Sequence, residues 1–104
     1  MIKKLTDEQC YKKAIEVWGI NAQLNMLIEE CAELIVSINH HRRGRTDINP
    51  VIEELVDAEL MIEEIKTSID PELYNLWRDT KMKKFRKQLG KASRKTNIMI
   101  SERG

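Results

Sequence analysis

Two short groups of acidic residues have the spacing of a metal site. The first is Glu29-Glu30-Cys31-Ala32-Glu33 and the second is Glu54-Leu55-Val56-Asp57. Carboxylates three residues apart lie on one side of an α-helix, because each residue turns the helix by ~100°. Two such pairs brought together would repel each other, and a divalent cation would remove the repulsion. An all-oxygen set, with no His or Cys facing the same way, favours Mg²⁺ or Mn²⁺ over Zn²⁺.

Four predicted helices would position these acids. A capping box, with Thr6 as N-cap and Gln9 reaching back, starts the first helix, and Asn-Pro and Asp-Pro pairs start the third and fourth. The predicted ranges are Thr6 to Trp18 before Gly19, Asn21 to about Arg43 before Gly44, Asn49-Pro50 to about Ile69, and Asp70-Pro71 to near Gly90. Residues 91–104 show no clear helical period, so we predict a weakly structured tail there. The alternative is a short packed segment at 97–100.

The second and third helices each carry an apolar stripe at helical spacing. The stripes are Leu24, Leu27, Ile28, Cys31, Leu34, Ile35 and Ile38 on the second, and Val51, Leu55, Ala58, Ile62, Ile65 and Ile69 on the third. A short connection predicts that the two helices pack antiparallel, stripe against stripe. The acid pairs then lie on matching flanks and converge beside the core. Acids beside a stripe are also common on solvated faces, which is our interpretation of Glu53, Glu59 and Glu63.

Composition narrows the class of protein. A chain of 104 residues with 34% charged, 5% aromatic and few Gly or Pro residues fits one all-α domain better than a β-sandwich. No apolar run approaches a membrane span, and two cysteines are too few for a disulfide framework. We therefore expect a cytoplasmic protein with reduced Cys10 and Cys31, and we expect Cys31 to be a small core residue.

The near-neutral net charge conceals a segregation of sign. The net charge is +1, but the stretch from Glu29 to Glu64 holds ten of the 17 acidic residues and the stretch from Arg78 to Arg103 holds ten of the 18 basic ones. The neutral total argues against nucleic acid as a partner, whereas the segregation permits a metal at one place and phosphates at another. His40 and His41 do not form a metal site, because adjacent helical residues point ~100° apart.

The two acidic groups, in this order and twenty residues apart, resemble the EExxE…ExxD signature of the MazG-like all-α NTP pyrophosphohydrolases. The apolar residues before Glu29, the basic turn Arg42-Arg43-Gly44-Arg45 and the Lys/Arg-rich fourth helix also fit, so the resemblance covers roughly residues 15–90. It implies a four-helix antiparallel bundle over residues 1–90, followed by the tail at 91–104.

The resemblance also implies an activity and its residues. The activity is Mg²⁺-dependent cleavage of a nucleoside or deoxynucleoside triphosphate to the monophosphate and pyrophosphate, with Mn²⁺ as a substitute ion. Its implied catalytic residues are the five acids Glu29, Glu30, Glu33, Glu54 and Asp57. All of them except Glu29, which is an additional acidic group, are the implied metal ligands. A Lys or Arg of the fourth helix would contact the triphosphate, and Lys81 and Lys84 are our choices. From their position just before the first acidic group, Gln23 and Asn25 are our candidates for contact with the base or sugar, and the alternative is that they simply cover the helix surface.

Two other functions remain open from the sequence. The first is a non-catalytic helical module that dimerises and binds a nucleotide, a nucleic acid or a protein partner. The second is a degenerate relative that binds nucleotides without hydrolysing them. Trp18 and Trp77 lie outside the motif and are more often core or interface residues. Because four short helices leave apolar surface for a second copy to cover, we expect a homodimer or homotetramer.

Overall fold

The computed structural model describes residues 4–96 and contains only α-helices in that range. The helices are α1 (Asp7–Trp18), α2 (Ile20–Arg42), α3 (Asn49–Lys66) and α4 (Pro71–Thr96). The prediction of an all-α protein is confirmed. The predicted packed segment at 97–100 lies outside the described residues.

The first helix begins and ends as its sequence predicts. The Gln9 backbone N–H donates to Thr6 Oγ1 at 3.2 Å, and the Thr6 N–H donates to Gln9 Oε1 at 2.9 Å, which completes the capping box. Gly19 alone separates α1 from α2 and has a φ of 87° and a ψ of 152°. That combination of torsions is essentially restricted to glycine, so Gly19 permits the sharp change of direction between the helices.

Three helix ends differ from the prediction by a few residues. Asn49 is the first residue of α3, and its N-cap is Ile48, whose side chain makes no capping hydrogen bond; the Asn49 N–H donates to Asp47 Oδ1 at 2.9 Å just before the helix. Helix α3 ends at Lys66, short of Ile69. Helix α4 continues beyond Gly90 to Thr96, because one glycine inside a helix costs only ~1 kcal/mol.

Helices α2 and α3 pack antiparallel along a seam with seven-residue spacing. On α3 the buried apolar residues are Val51, Ala58 and Ile65. On α2 the buried residues are polar: Gln23 and Ser37. Because Gln23 faces Glu64 while Glu33 faces Glu54, the numbers rise along one helix as they fall along the other. The predicted antiparallel pairing is confirmed.

Only part of the predicted apolar stripe of α2 faces this seam: Leu27, Leu34 and Ile38 are half-buried, whereas the rest of the stripe is exposed, and for those residues the prediction is wrong. Ile28 is 67% exposed and Ile35 is 61% exposed, and Cys31 between them is exposed as well. Cys31 is therefore not a core residue of the single chain. On α3, Leu55 and Ile62 are likewise exposed. The predicted stripe of α3 does contain the buried residues Val51, Ala58 and Ile65, so the prediction is confirmed at those positions. On α2 the sequence favoured apolar residues further round the helix than the face that contains the acids.

The chain divides into two compact units, Met1–Asp70 and Pro71–Gly104. In the first unit α1 packs against α2 and α3. Burial raises the pKa of the Tyr11 phenol of α1, and the charges of Asp7, Glu63 and Glu59 raise it further. The second unit contains α4. A bundle of all four helices remains a prediction. Among the helices described, none is long and apolar enough to cross a membrane.

Candidate metal centre

Three predicted ligands meet at the middle of the α2–α3 seam. Glu30, Glu33 and Glu54 each offer a carboxylate oxygen, and these oxygens lie within 4.8 Å of one another. Glu30 and Glu33 are one turn apart on α2, and Glu54 comes from the facing side of α3. The arrangement arises because both helices turn their acid-bearing faces toward each other.

The burial of two carboxylates makes the cluster more than an exposed acidic patch. Glu30 and Glu54 are half-buried, and the Oε2 atom of each is buried without a hydrogen-bond partner among the described residues. A buried carboxylate oxygen without a partner loses its hydration and gains nothing in return. A cation is the partner that would satisfy both oxygens at once, since neighbouring carboxylates can only accept hydrogen bonds when they are ionised.

The electrostatics of the cluster favour a positive ligand. Desolvation by burial raises the pKa of the Glu30 carboxyl, and the nearby charges of Glu33, Asp57 and Glu29 raise it further, while the adjacent Glu54 carboxyl lowers it by less. Desolvation also raises the pKa of the Glu54 carboxyl, with further contributions from Glu33, Asp57 and Glu30. Without a cation these two groups therefore hold protons more strongly than ordinary glutamates do.

Asp57 and Glu29 lie at the edge of the cluster. Asp57 is exposed, one turn along α3 from Glu54, and its charge acts on both Glu30 and Glu54. It is not part of the group of three whose oxygens converge. Glu29 is exposed and acts on the Glu30 carboxyl. The donor set is all oxygen, which fits a hard divalent ion such as Mg²⁺ or Mn²⁺.

Gln23 pairs with a residue that the sequence analysis did not single out. Glu64 on α3 is 7% exposed and Gln23 on α2 is 5% exposed. With its amide nitrogen facing α3, Gln23 donates to both carboxylate oxygens of Glu64, at 3.1 Å to Oε1. Burial raises the pKa of the Glu64 carboxyl. The seven-residue spacing from Glu30 back to Gln23 and from Asp57 on to Glu64 was the signal that could have revealed this pair.

A groove lies on either side of the acids. One, of about 350 Å³, is lined by Glu33 and Glu54 of the cluster together with Ala32, Val36, Ser37, His40, Thr46 and Pro50. The Thr46 hydroxyl oxygen in it is buried without a partner among the described residues. The other groove, of about 510 Å³, is lined by Trp18, Ala22, Gln23, Met26, Met61 and Glu64. Asn25 is exposed and does not line either groove.

The basic residues chosen from the sequence lie on α4, in the second unit. Lys81 and Lys84 are exposed. The Lys81 Nζ atom lies 6.0 Å from the centre of the Trp77 ring, within the range of a cation–π contact. Whether either lysine contacts a triphosphate remains a prediction.

The histidines were not expected to bind a metal, and they point to different surroundings. His41 Nδ1 is 3.1 Å from the Thr46 carbonyl oxygen, whereas His40 lines the smaller groove.

Comparisons with models of protein families, with curated proteins and with solved structures found no match.

Proposed function

We propose that the protein is a divalent-cation-dependent nucleoside triphosphate pyrophosphohydrolase, acting on nucleoside or deoxynucleoside triphosphates with Mg²⁺ as the cofactor. The observation that supports this most directly is the convergence of Glu30, Glu33 and Glu54, with two buried carboxylate oxygens that lack a partner. The resemblance of the two acidic groups to the MazG-like signature supplies the reaction.

In this proposal the chain supplies the ligands and the ion supplies the activation. Glu30, Glu33 and Glu54 would hold the cation, and Asp57 would complete the set from the edge of the cluster. A bound Mg²⁺ polarises phosphate oxygens and lowers the pKa of a coordinated water. An acidic side chain beside the ion would accept the proton of that water. Glu29, which is exposed beside Glu30 and is not one of the proposed ligands, is a candidate for this role.

We propose that the nucleoside binds in the larger groove. Gln23 and Glu30 are seven residues apart, so they share a face of α2 and are separated by about 10.5 Å along its axis. A nucleotide with its phosphates at the acids would extend about this far. Trp18, Met26 and Met61 offer apolar surface to a base, and the buried pair of Gln23 and Glu64 offers hydrogen-bonding groups. Lys81 and Lys84 are the proposed contacts of the triphosphate.

The exposed apolar faces support a homodimer or homotetramer. Ile28, Cys31 and Ile35 form a strip along α2, and Ile52, Leu55 and Ile62 continue the apolar surface on α3. Monomeric proteins rarely leave a continuous patch of this kind open to water. A second copy that covers it with the same strip would make a symmetric interface, within the four-helix bundle architecture expected from the sequence.

The decisive experiment is a panel of all NTPs and dNTPs, with Mg²⁺, with Mn²⁺ and with a chelator, in which released pyrophosphate and nucleoside monophosphate are both measured. We expect the two products in equal amounts from at least one substrate, and no product with the chelator. Glu33→Gln should abolish turnover. Glu53→Gln, which changes an exposed acid adjacent to Glu54, is the matched control and should retain it.

The same panel distinguishes the other two functions. Binding of a nucleotide without release of pyrophosphate would identify a degenerate relative. If the protein neither binds nor hydrolyses a nucleotide, the helical interaction module is the remaining explanation.

The same assay tests which groove binds the nucleoside. Trp18→Ala should raise KM more than His40→Ala if the nucleoside occupies the larger groove, and the reverse order would place the nucleoside in the smaller one.

A further inference from the structure

The C-terminal half of α4 carries more positive charge than the proposed substrate needs. From Lys81 to Lys95 the sequence contains eight basic residues and no acidic residue. The basic side chains from Lys83 to Lys91 are all exposed, and none of them forms a salt bridge with another described residue. A triphosphate offers only three linked phosphates, so most of these charges need another explanation.

Apart from Arg86, the basic residues form one arc around the helix, in which Lys83, Arg94 and Lys87 make up one edge and Lys91, Lys84 and Lys81 follow. At ~100° per residue, Lys83, Lys87 and Arg94 fall within about 40° of one another. Lys91 and Lys84 lie about 40° and 60° beyond Lys87, and Lys81 lies further round, so Lys83, Lys87 and Arg94 lie to one side of the proposed triphosphate contacts. Met82, Phe85 and Leu89 form a narrow apolar strip on the opposite side of the helix.

We propose that the face of α4 defined by Lys83, Lys87 and Arg94 binds the phosphate backbone of a nucleic acid. The three residues span eleven positions, or about 16 Å of helix axis. Along that length one strand presents about five phosphates at ~3.4 Å each. The helix is also narrow enough to enter a major groove about 12 Å wide, and charge complementarity therefore extends along the whole face.

This proposal departs from the expectation that nucleic acid is not a partner, which rested on the near-neutral net charge of the whole chain and not on the charge near this face. At ~0.1 M salt the field of a charge is screened over about 10 Å, so a ligand on this face responds to local basic residues more than to acids elsewhere in the chain. An anionic membrane is the less suitable partner. A helix that lies on a membrane needs a broad apolar face, whereas the apolar strip here is narrower than the basic surface that surrounds it.

The test uses the whole 104-residue chain and two fluorescently labelled probes: a DNA duplex of about two helical turns and one of its strands alone. Binding is followed by fluorescence anisotropy at several salt concentrations. Lys83→Glu/Lys87→Glu/Arg94→Glu should weaken binding at ~50 mM salt at least tenfold and reduce the salt slope by up to about 2.7, since each lost phosphate contact removes ~0.9. Circular dichroism of the variant verifies that the helices are retained.

The charge-matched control reverses three exposed charges in the other unit, Lys4→Glu/Lys12→Glu/Lys13→Glu, which changes the net charge by the same amount. Because it also removes the Lys12–Glu8 and Lys13–Glu16 salt bridges of α1, its circular dichroism is measured as well. It should bind nucleic acid within about threefold of the parent protein. Three results would overturn the proposal: no binding by the parent protein at ~50 mM salt, equal weakening by the control variant, or tighter binding to phosphatidylcholine vesicles containing phosphatidylserine than to either nucleic acid.

Discussion

Glu30 and Glu54 are the residues whose surroundings are most costly without a ligand. Each keeps one carboxylate oxygen away from water and away from any hydrogen-bond donor in the described part of the chain. Each also lies beside other acids, and both effects raise the pKa of its carboxyl. The protein thus keeps an unfavourable arrangement at the seam where apolar residues would pack better, as expected of a site selected for binding.

The raised pKa values predict how stability depends on pH without metal. The native state holds these protons more tightly than the unfolded chain, so the stability they contribute is present at low pH and is lost as pH rises through the native pKa. In a chelator at about pH 7.5, Glu54→Gln should therefore raise the melting temperature above that of the parent protein. The difference should shrink toward about pH 4.3, where the unfolded carboxyl also takes up its proton.

Bound metal should reverse the order of the melting temperatures of the parent protein and Glu54→Gln. With Mg²⁺ or Mn²⁺ at neutral pH the parent protein should gain melting temperature through mass action, whereas Glu54→Gln should gain much less. Glu53→Gln, at an exposed position, should follow the parent protein in both conditions. A lower melting temperature for Glu54→Gln than for the parent protein in chelator would show that the Glu54 carboxyl stabilises the fold and that the strain described above is absent.

At the scale of the elements, α2 and α3 are joined by a polar contact near one end of their seam. Gln23 and Glu64 are both nearly inaccessible to solvent and satisfy each other across the helices. A buried hydrogen-bonded pair contributes little net stability, but removing one member leaves the other unsatisfied. The pair also forms the floor of the larger groove, so its geometry links helix packing to the proposed nucleoside seat.

This contact predicts a strongly non-additive pair of substitutions. Gln23→Ala should lower the free energy of unfolding by ~1–3 kcal/mol, because the Glu64 carboxylate stays buried without its donor. Gln23→Leu/Glu64→Leu, which removes both polar groups, should recover most of that loss. Urea denaturation of the parent, single and double variants measures it. A loss in the double variant equal to the sum of the losses in Gln23→Leu and Glu64→Leu alone would mean that the pair is not coupled.

Local sequence signals predicted most of the elements and only part of their packing. The capping box at Thr6, the glycine at position 19 and the proline-led starts all act through neighbouring backbone, so they can be recognised one segment at a time. The convergence of Glu30, Glu33 and Glu54 was also predictable, because helical periodicity fixes which acids share a face. The face that packs inward was not predictable in the same way: α2 has two apolar faces, and only the tertiary structure selects between them.

The Gln23–Glu64 contact shows a second limit of the sequence. Each residue alone resembles a common surface residue, and its burial follows from the alignment of two helices over several turns. The uncertain length of the turn between α2 and α3 left that alignment open by a turn or more. Once Glu33 is placed opposite Glu54, the contact between Gln23 and Glu64 follows from counting along both helices.

At the scale of the whole molecule, the apolar strip on α2 predicts self-association. Ile28, Cys31 and Ile35 are exposed in the single chain, and a second copy would remove them from water. Light scattering after size exclusion should give a mass of at least twice 12.2 kDa. Ile28→Asp/Ile35→Asp should reduce it to one chain. Asn21→Asp/Asn39→Asp adds the same charge to exposed polar positions of α2 and should leave the mass unchanged.

The two thiols provide an independent measurement of the same interface. Cys10 on α1 and Cys31 on the strip are both exposed in the single chain. If the strip is covered in solution, Cys31 should react with a thiol reagent at least tenfold more slowly than Cys10, since reaction requires exposure. Dilution should bring the two rates together as the assembly dissociates. Equal rates at high concentration would place the interface elsewhere or exclude it.

Gly19, the single residue between α1 and α2, has a positive φ that L-residues rarely adopt, so the stability of this connection depends on the chirality of the residue placed there. A Cβ added there would meet no atom within 4 Å, so the cost of an ordinary alanine is torsional and not steric crowding by neighbours. The mirror-image residue has the opposite preference for the sign of φ. Chemical synthesis with D-alanine at position 19 should therefore give a more stable protein than L-alanine does. A D-residue favours the positive φ found at this bend next to Trp18, and among the encoded residues only the achiral glycine adopts it without strain.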